Sequence, residues 1–107
     1  MILRRAAAAD ALRIAELSAV LGYPADAEAM STRLARLLAR EDELVLVAVP
    51  SGGAVAGWVH AAEQELLESG RRCEILGLVV DAGHRGQGVG RRLVAEVEAW
   101  AAGAGWE

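Results

Sequence analysis

The densest concentration of residues able to do chemistry is Asp81-Ala82-Gly83-His84-Arg85-Gly86-Gln87-Gly88-Val89-Gly90-Arg91-Arg92. Placed after a strand and before a helix, such a turn gathers several backbone N–H groups on one concave surface. The helix dipole adds its positive end there. Glycine lets an anion approach the backbone and supplies positive φ where the turn needs it. Arg91 and Arg92 fall in the helix's first turn, where positive charge opposes the dipole by about 0.3–1 kcal/mol per residue. With Arg85 just before them, the arrangement makes better sense if a bound polyphosphate supplies the missing negative charge. A plain strand-to-helix connection needs neither four glycines in eight residues nor three arginines around them.

Two familiar polyphosphate motifs fail on arithmetic. A Walker loop requires Gly-Lys-Ser/Thr, whereas here the glycines run into Val89-Gly90-Arg91, and the chain has no lysine at all. The absence of lysine also excludes Schiff-base chemistry. A dinucleotide fingerprint requires G-x-G-x-x-G with an acid about 20 residues further on. Gly86-Gln87-Gly88-Val89-Gly90 has the wrong spacing, and the sequence ends before that acid could occur.

The elements that position this turn can be read from periodicity. Residues 2 to 7 are β-compatible. Asp10 can cap a helix with Ile14, Leu17 and Leu21 at helical spacing, ended by Gly22. Tyr23-Pro24 is a break. Asp26 can cap a second helix carrying Met30, Leu34, Leu37 and Leu38 on one face, with Arg33, Arg36 and Arg40 on a solvated face. Leu44 to Val49 is a continuous apolar run of strand length, as expected of a strand covered on both sides. Pro50-Ser51-Gly52-Gly53 is a turn, and Val55 to Ala62 returns as a partner strand. Gln64 to Gly70 reads as a connection with room for one helical turn. Glu74 to Val80 is the next strand, and a helix from about Val89 to Ala102 puts Val89, Leu93, Val97 and Trp100 on one face. Gly103 and Gly105 end it, and Trp106-Glu107 begins a further segment. The order β-α-α-β-β-β-α-(β), without repeats or linker composition, describes a single α/β or α+β unit.

The strand Glu74-Ile75-Leu76-Gly77-Leu78-Val79-Val80, followed by Arg85-x-x-Gly88-x-Gly90 and an amphipathic helix, resembles the acetyl-CoA motif of the GNAT family of N-acetyltransferases. The likeness extends over the whole chain in element order, with Val55-Ala56-Gly57-Trp58 similar to the family's third strand. Ala82 stands where the family often has proline. The resemblance implies a mixed central sheet flanked by helices and acetyl-CoA as the acetyl donor, with no metal. It implies that amides from Gln87 to Arg91 hold the pyrophosphate beside Arg85 and Gly86. Leu78, Val79 and Val80 would offer main-chain hydrogen bonds to the pantetheine arm. Gly77 agrees independently, since glycine inside a strand marks a bulge or a close backbone approach.

A protonated amine must lose a proton before it attacks a thioester, and a partly buried carboxylate can take it, an effect worth roughly 10²–10⁴-fold. The resemblance puts Glu74 at the position of a catalytic glutamate; a strand-end ion pair with Arg71 or Arg72 explains it equally well. Tyr23 falls where relatives build part of the acceptor pocket, although packing on Pro24 also accounts for it. His60 could face the acceptor, but reads better as a satisfied strand histidine. His84 is a turn residue near the expected phosphates. Cys73 could suggest a covalent acyl route, but buried cysteine is usually a small apolar residue. Trp58 and Trp100 read as core.

Composition bounds the rest. The 107 residues form one domain's worth of chain, 54% hydrophobic and 24% charged, which excludes intrinsic disorder. A net charge of −4 argues against a nucleic-acid partner. No apolar run approaches the ~20 residues of a membrane span, and no leader pattern precedes Arg4-Arg5. One cysteine, no zinc spacing and an alanine- and arginine-rich, lysine-free composition fit a bacterial cytoplasmic protein. The expected activity is transfer of an acetyl group from acetyl-CoA to the amine of a small molecule or peptide, by direct attack. The alternative is an acyl-CoA-binding or regulatory module that keeps the turn without turnover; a protein-interaction domain would leave the turn unexplained. Two residues after Gly105 cannot complete a strand parallel to Glu74–Val80. The expectation is therefore a longer domain, or a partner such as a second copy in a homodimer.

Overall fold

Every side chain from Leu44 to Ala48 is buried, because helices cover the strand on both sides. The computed structural model describes residues 1–24 and 26–103. Their order is β1 (Ile2–Arg5), α1 (Ala11–Val20), α2 (Ala27–Leu38), β2 (Glu43–Val49), β3 (Gly57–Leu66), β4 (Gly70–Val80) and α3 (Val89–Gly103), with 3-10 turns at Ala8–Asp10 and Ala82–His84. The sheet runs β1-β2-β3-β4, antiparallel at each pairing. The parallel strand that would make it mixed was expected from Trp106-Glu107, which lie outside the described residues.

Alternation along β2 divides the core in two. Val45 and Val47 pack with Ile14 and Leu17 of α1 and Leu34 of α2. Leu44, Leu46 and Ala48 pack with Val89, Leu93 and Val97 of α3. Met30, Leu37 and Trp58 border the first cluster, and Cys73, Val80 and Trp100 border the second.

Asp26 caps α2 as expected, its Oδ1 accepting the Ala29 N–H at 2.6 Å. Asp10 does not cap α1. It turns back to accept the Ala7 N–H at 2.7 Å and both Arg4 Nη groups at 2.8 and 3.0 Å, tying the end of β1 to the helix start. Leu21 and Leu38, expected on the buried faces, are exposed because each lies at a helix end, past the last turn that meets the sheet.

The largest departure is the β3–β4 hairpin. In the expected connection from Gln64 to Gly70, Gln64 to Leu66 and Gly70 are strand, paired to Leu66↔Gly70, and residues 67–69 form the turn. Cross-strand polar pairs hold this outer part: Arg71 Nε donates to Glu63, and Arg72 Nη2 lies 3.4 Å from Gln64 Oε1. Such pairs stabilise exposed antiparallel strands without the apolar pattern that marks a buried one.

Candidate functional site

The site grows from an irregularity in β4. His60 pairs with Gly77 but Ala61 pairs with Ile75, so Leu76 is an extra residue, and β4 bulges there. Gly77 also meets the second expectation for a strand glycine. A Cβ on it would lie 2.8 Å from Trp58 Cη2 and 2.9 Å from Cζ3, so only glycine lets the indole rest on the strand. Beyond the bulge, the Asp81 N–H donates to Ala56 O at 2.7 Å, which sets the alternation of the ladder. Asp81 and Val79 turn their backbone groups toward β3. Leu78 and Val80 turn theirs to the other side of β4, which has no further strand among the described residues.

At the end of β4 the chain enters the glycine turn. Asp81 is held from two sides, with His84 Nδ1 3.2 Å from its Oδ2 and Arg13 Nη2 3.7 Å from its Oδ1. Arg13 also donates from Nε to Val55 O at 2.9 Å, so α1 braces the start of β3 and the exit of β4 together. Gly86 and Gly88 have φ of 81° and 78°, which side chains of L-residues rarely adopt. The first bond of α3 runs from the Arg92 N–H to Gly88 O at 3.0 Å. The amides of Gly88, Val89, Gly90 and Arg91 therefore precede the helical ladder, as four N–H groups do at any α-helix start. Gly90 sits against the strand, its Cβ position 3.6 Å from Val80 Cγ2. Arg85 Nε reaches Val80 O at 3.4 Å, while Gln87 and Arg91 are exposed.

The opposite face of the sheet holds a cavity of about 250 Å³ between α1, α2 and the strands, lined by Ile14, Ser18, Met30, Arg33, Leu34, Leu37, Val45, Trp58 and His60. His60 lines it, and its Nε2 lies 2.9 Å from Oε1 of the nearly buried Glu43. Glu74 is opposite Ala62, in the second pair beyond the bulge. Its side chain is 42% exposed, 4.0 Å from Arg72 Nη2, and it does not line the cavity. Tyr23, 74% exposed after α1, does not line it either. Burial, reinforced by Glu63, pushes the Cys73 thiol up, which disfavours the nucleophilic thiolate. Among the described residues no group of three or more His, Cys, Asp or Glu could hold a metal ion, and no helix is long and apolar enough to cross a membrane.

Residues 10–106 match the family model described as the acetyltransferase (GNAT) family. The chain belongs to the GNAT acetyltransferases. Solved structures agree on the fold. A GNAT family acetyltransferase from Staphylococcus aureus, 22% identical, superposes with a TM-score of 0.86 over 99% of this chain and 81% of the other. An aminoglycoside 6′-N-acetyltransferase from Acinetobacter haemolyticus, 23% identical, gives 0.84 over 99% and 74%. A glucosamine-6-phosphate N-acetyltransferase from Arabidopsis thaliana, 20% identical, gives 0.86 over 98% and 76%. No curated protein matches. Within this GNAT domain, the bulge and the glycine turn were signalled by Gly77 and Arg85-x-x-Gly88-x-Gly90. The Arg13 brace and the Glu43 partner of His60 were missed. Each joins residues distant in sequence, and nothing in local spacing marks such a pair.

Proposed function

We propose that this chain moves the acetyl group of acetyl-CoA to a primary amine by direct attack of the amine on the thioester. One observation carries the reading. The outward-facing backbone of Leu78 and Val80 leads straight into a turn where two positive-φ glycines open the amides at the start of α3. A linear ligand with a hydrogen-bonding arm and a pyrophosphate fits that sequence of groups. The amides from Gln87 to Arg91 would hold the pyrophosphate, with Arg85, Gly86 and Arg91 adding charge and clearance. Leu78 and Val80 would bind the arm, with the buried Val79 supporting the strand from below. When bound, acetyl-CoA supplies an activated acyl group. As the amine's C–N bond forms, the thioester C–S bond breaks and CoA leaves as a thiolate, to be protonated from solvent. The chain's own part is to hold both reactants and accept the proton that the amine gives up before attack.

For that proton we assign Glu74, acting through water, because its partner Arg72 lies at the limit of ion-pair distance and leaves the carboxylate accessible. Tyr23 is assigned to the outer approach between the two helices that wall the cavity. The cytoplasm is the compartment that suits a lone thiol.

Two measurements test this reading. CoA or acetyl-CoA should raise the melting temperature, with ATP and NAD doing so much less; equal shifts with ATP, or none with CoA, remove the donor assignment. Glu74→Gln should lower the transfer rate at neutral pH by roughly 10²-fold or more, with little change in acetyl-CoA affinity and partial recovery at high pH, where free amine is abundant. Unchanged turnover would return Glu74 to a structural role.

A further inference from the structure

The acetyl acceptor can be narrowed from the cavity on the α1–α2 face, given the acetyl-transfer reading above. About 250 Å³ lies below the roughly 300–1,000 Å³ of drug-sized ligand sites, so this half-open cavity has room for one small group. Ile14, Met30, Leu34, Leu37, Val45 and the Trp58 ring form most of the wall. The Ser18 hydroxyl is already committed, donating to Ile14 O at 2.7 Å. The polar end is His60, whose Nε2 is engaged by Glu43 and whose other ring nitrogen is left for a ligand. His60 pairs across the sheet with Gly77 at the bulge of β4, so this end of the cavity adjoins the strand read as the donor's.

The charges on this wall are few. Glu43, behind His60, supplies one carboxylate, and no acid lines the cavity itself. Arg33, on the α2 side, adds a positive charge at the wall. One carboxylate can offset one ammonium; a polycation would bring further charges to an apolar wall and an arginine, with no partner for them. Beyond His60 and Arg33, the wall offers one donor, the buried Trp58 Nε1, which has no partner of its own. A sugar or aminoglycoside carries more hydroxyls than these groups can pair, and the rest would lose their hydration against apolar side chains.

We infer that the acceptor is a small hydrophobic monoamine, its apolar body enclosed by Met30, Leu34, Leu37 and Trp58 and its nitrogen presented at His60. Aminoglycosides and phosphosugars are not matched by this cavity, although proteins of the same fold carry those names.

The test is a calorimetric titration of the protein with isopentylamine, kanamycin and glucosamine 6-phosphate in turn. The expected result is binding of isopentylamine at least about tenfold tighter than either polar amine. That binding should be lost in Met30→Trp, which fills the cavity, and weakened in Leu37→Ser, which makes its wall polar. A CoA-induced rise in melting temperature, measured on each variant, shows that the variant is folded and reads out the donor site separately. A preference for kanamycin or the phosphosugar, or isopentylamine binding indifferent to both substitutions in variants that still respond to CoA, would overturn the inference. Failure of the wild-type protein to respond to CoA would instead strike the acetyl-transfer reading, while the ranking of the three amines would still decide the character of the cavity.

Discussion

At the scale of single residues, Gly88 and Gly90 are not equivalent, though they look alike in the motif. Gly88 is held at φ 78°, where an L-side chain costs roughly 1–2 kcal/mol. Gly90 has no such φ, and its Cβ position makes only ordinary contacts with Val80 and Leu78. Gly88→Ala should therefore lower stability by about 1 kcal/mol or more in a urea melt, and shift the amides enough to weaken CoA binding by about tenfold or more. Gly90→Ala should leave stability unchanged or slightly raised, since alanine is the better helix former. Equal losses in both would mean that backbone strain is not what singles out Gly88. Cys73 makes a contrasting case. With its thiol pushed up by burial first and by Glu63 second, it should alkylate with iodoacetamide at about pH 8 more slowly than free cysteine. An unusually fast reaction would reopen the covalent route.

At the scale of elements, the contact between β3 and β4 at Trp58 and Gly77 fixes both the bulge and one wall of the cavity. Gly77→Ala would put a methyl 2.8–2.9 Å from a rigid indole. The expected cost is about 1–3 kcal/mol of stability, measurable in urea, together with a change in Trp58 fluorescence as the ring is driven toward the cavity. Here the limits of reading from sequence are plain. Gly77 announced a bulge or a close approach because few other reasons place glycine inside a strand. It could not announce Trp58, nineteen positions earlier, as the approaching group. The apolar run of β2 was legible because burial on both sides leaves a continuous signature. The outer hairpin, Glu63 to Arg72, was not, because its strands are held by polar cross-strand pairs whose composition resembles a loop. The same blindness hid the Glu43–His60 pair, seventeen residues apart and joined only by register.

At the scale of the whole molecule, the Arg4–Asp10 pair fastens the first strand to the first helix, and it makes folding sensitive to acid. The Arg4 guanidinium, more than the Ala7 amide, holds the Asp10 carboxyl below its ordinary value of 3.8, against the opposing effect of burial. A depressed carboxyl contributes stability that is fully present above the unfolded value and is lost as pH falls through the folded one. Stability should thus be level near neutrality and fall below about pH 4, with Asp10→Asn flattening part of that fall. At neutral pH the substitution should cost about 1 kcal/mol, kept small because Arg4 is half exposed. Urea titrations at about pH 7 and pH 3 check both statements; an unaltered acid response in the variant would remove Asp10 as its source. The sheet itself has a wider consequence. Leu46 and Val47 are chain neighbours, yet they belong to different interiors, one under α3 and one under α1 and α2. Substitutions that reshape the interior beside Met30 and Leu37 reach the one beside Val89 and Leu93 through the backbone of β2 and through Arg13, which ties α1 to Asp81. On the proposed assignment, substitutions at Met30 or Leu37 should change which amine is taken and leave the CoA-induced melting shift in place.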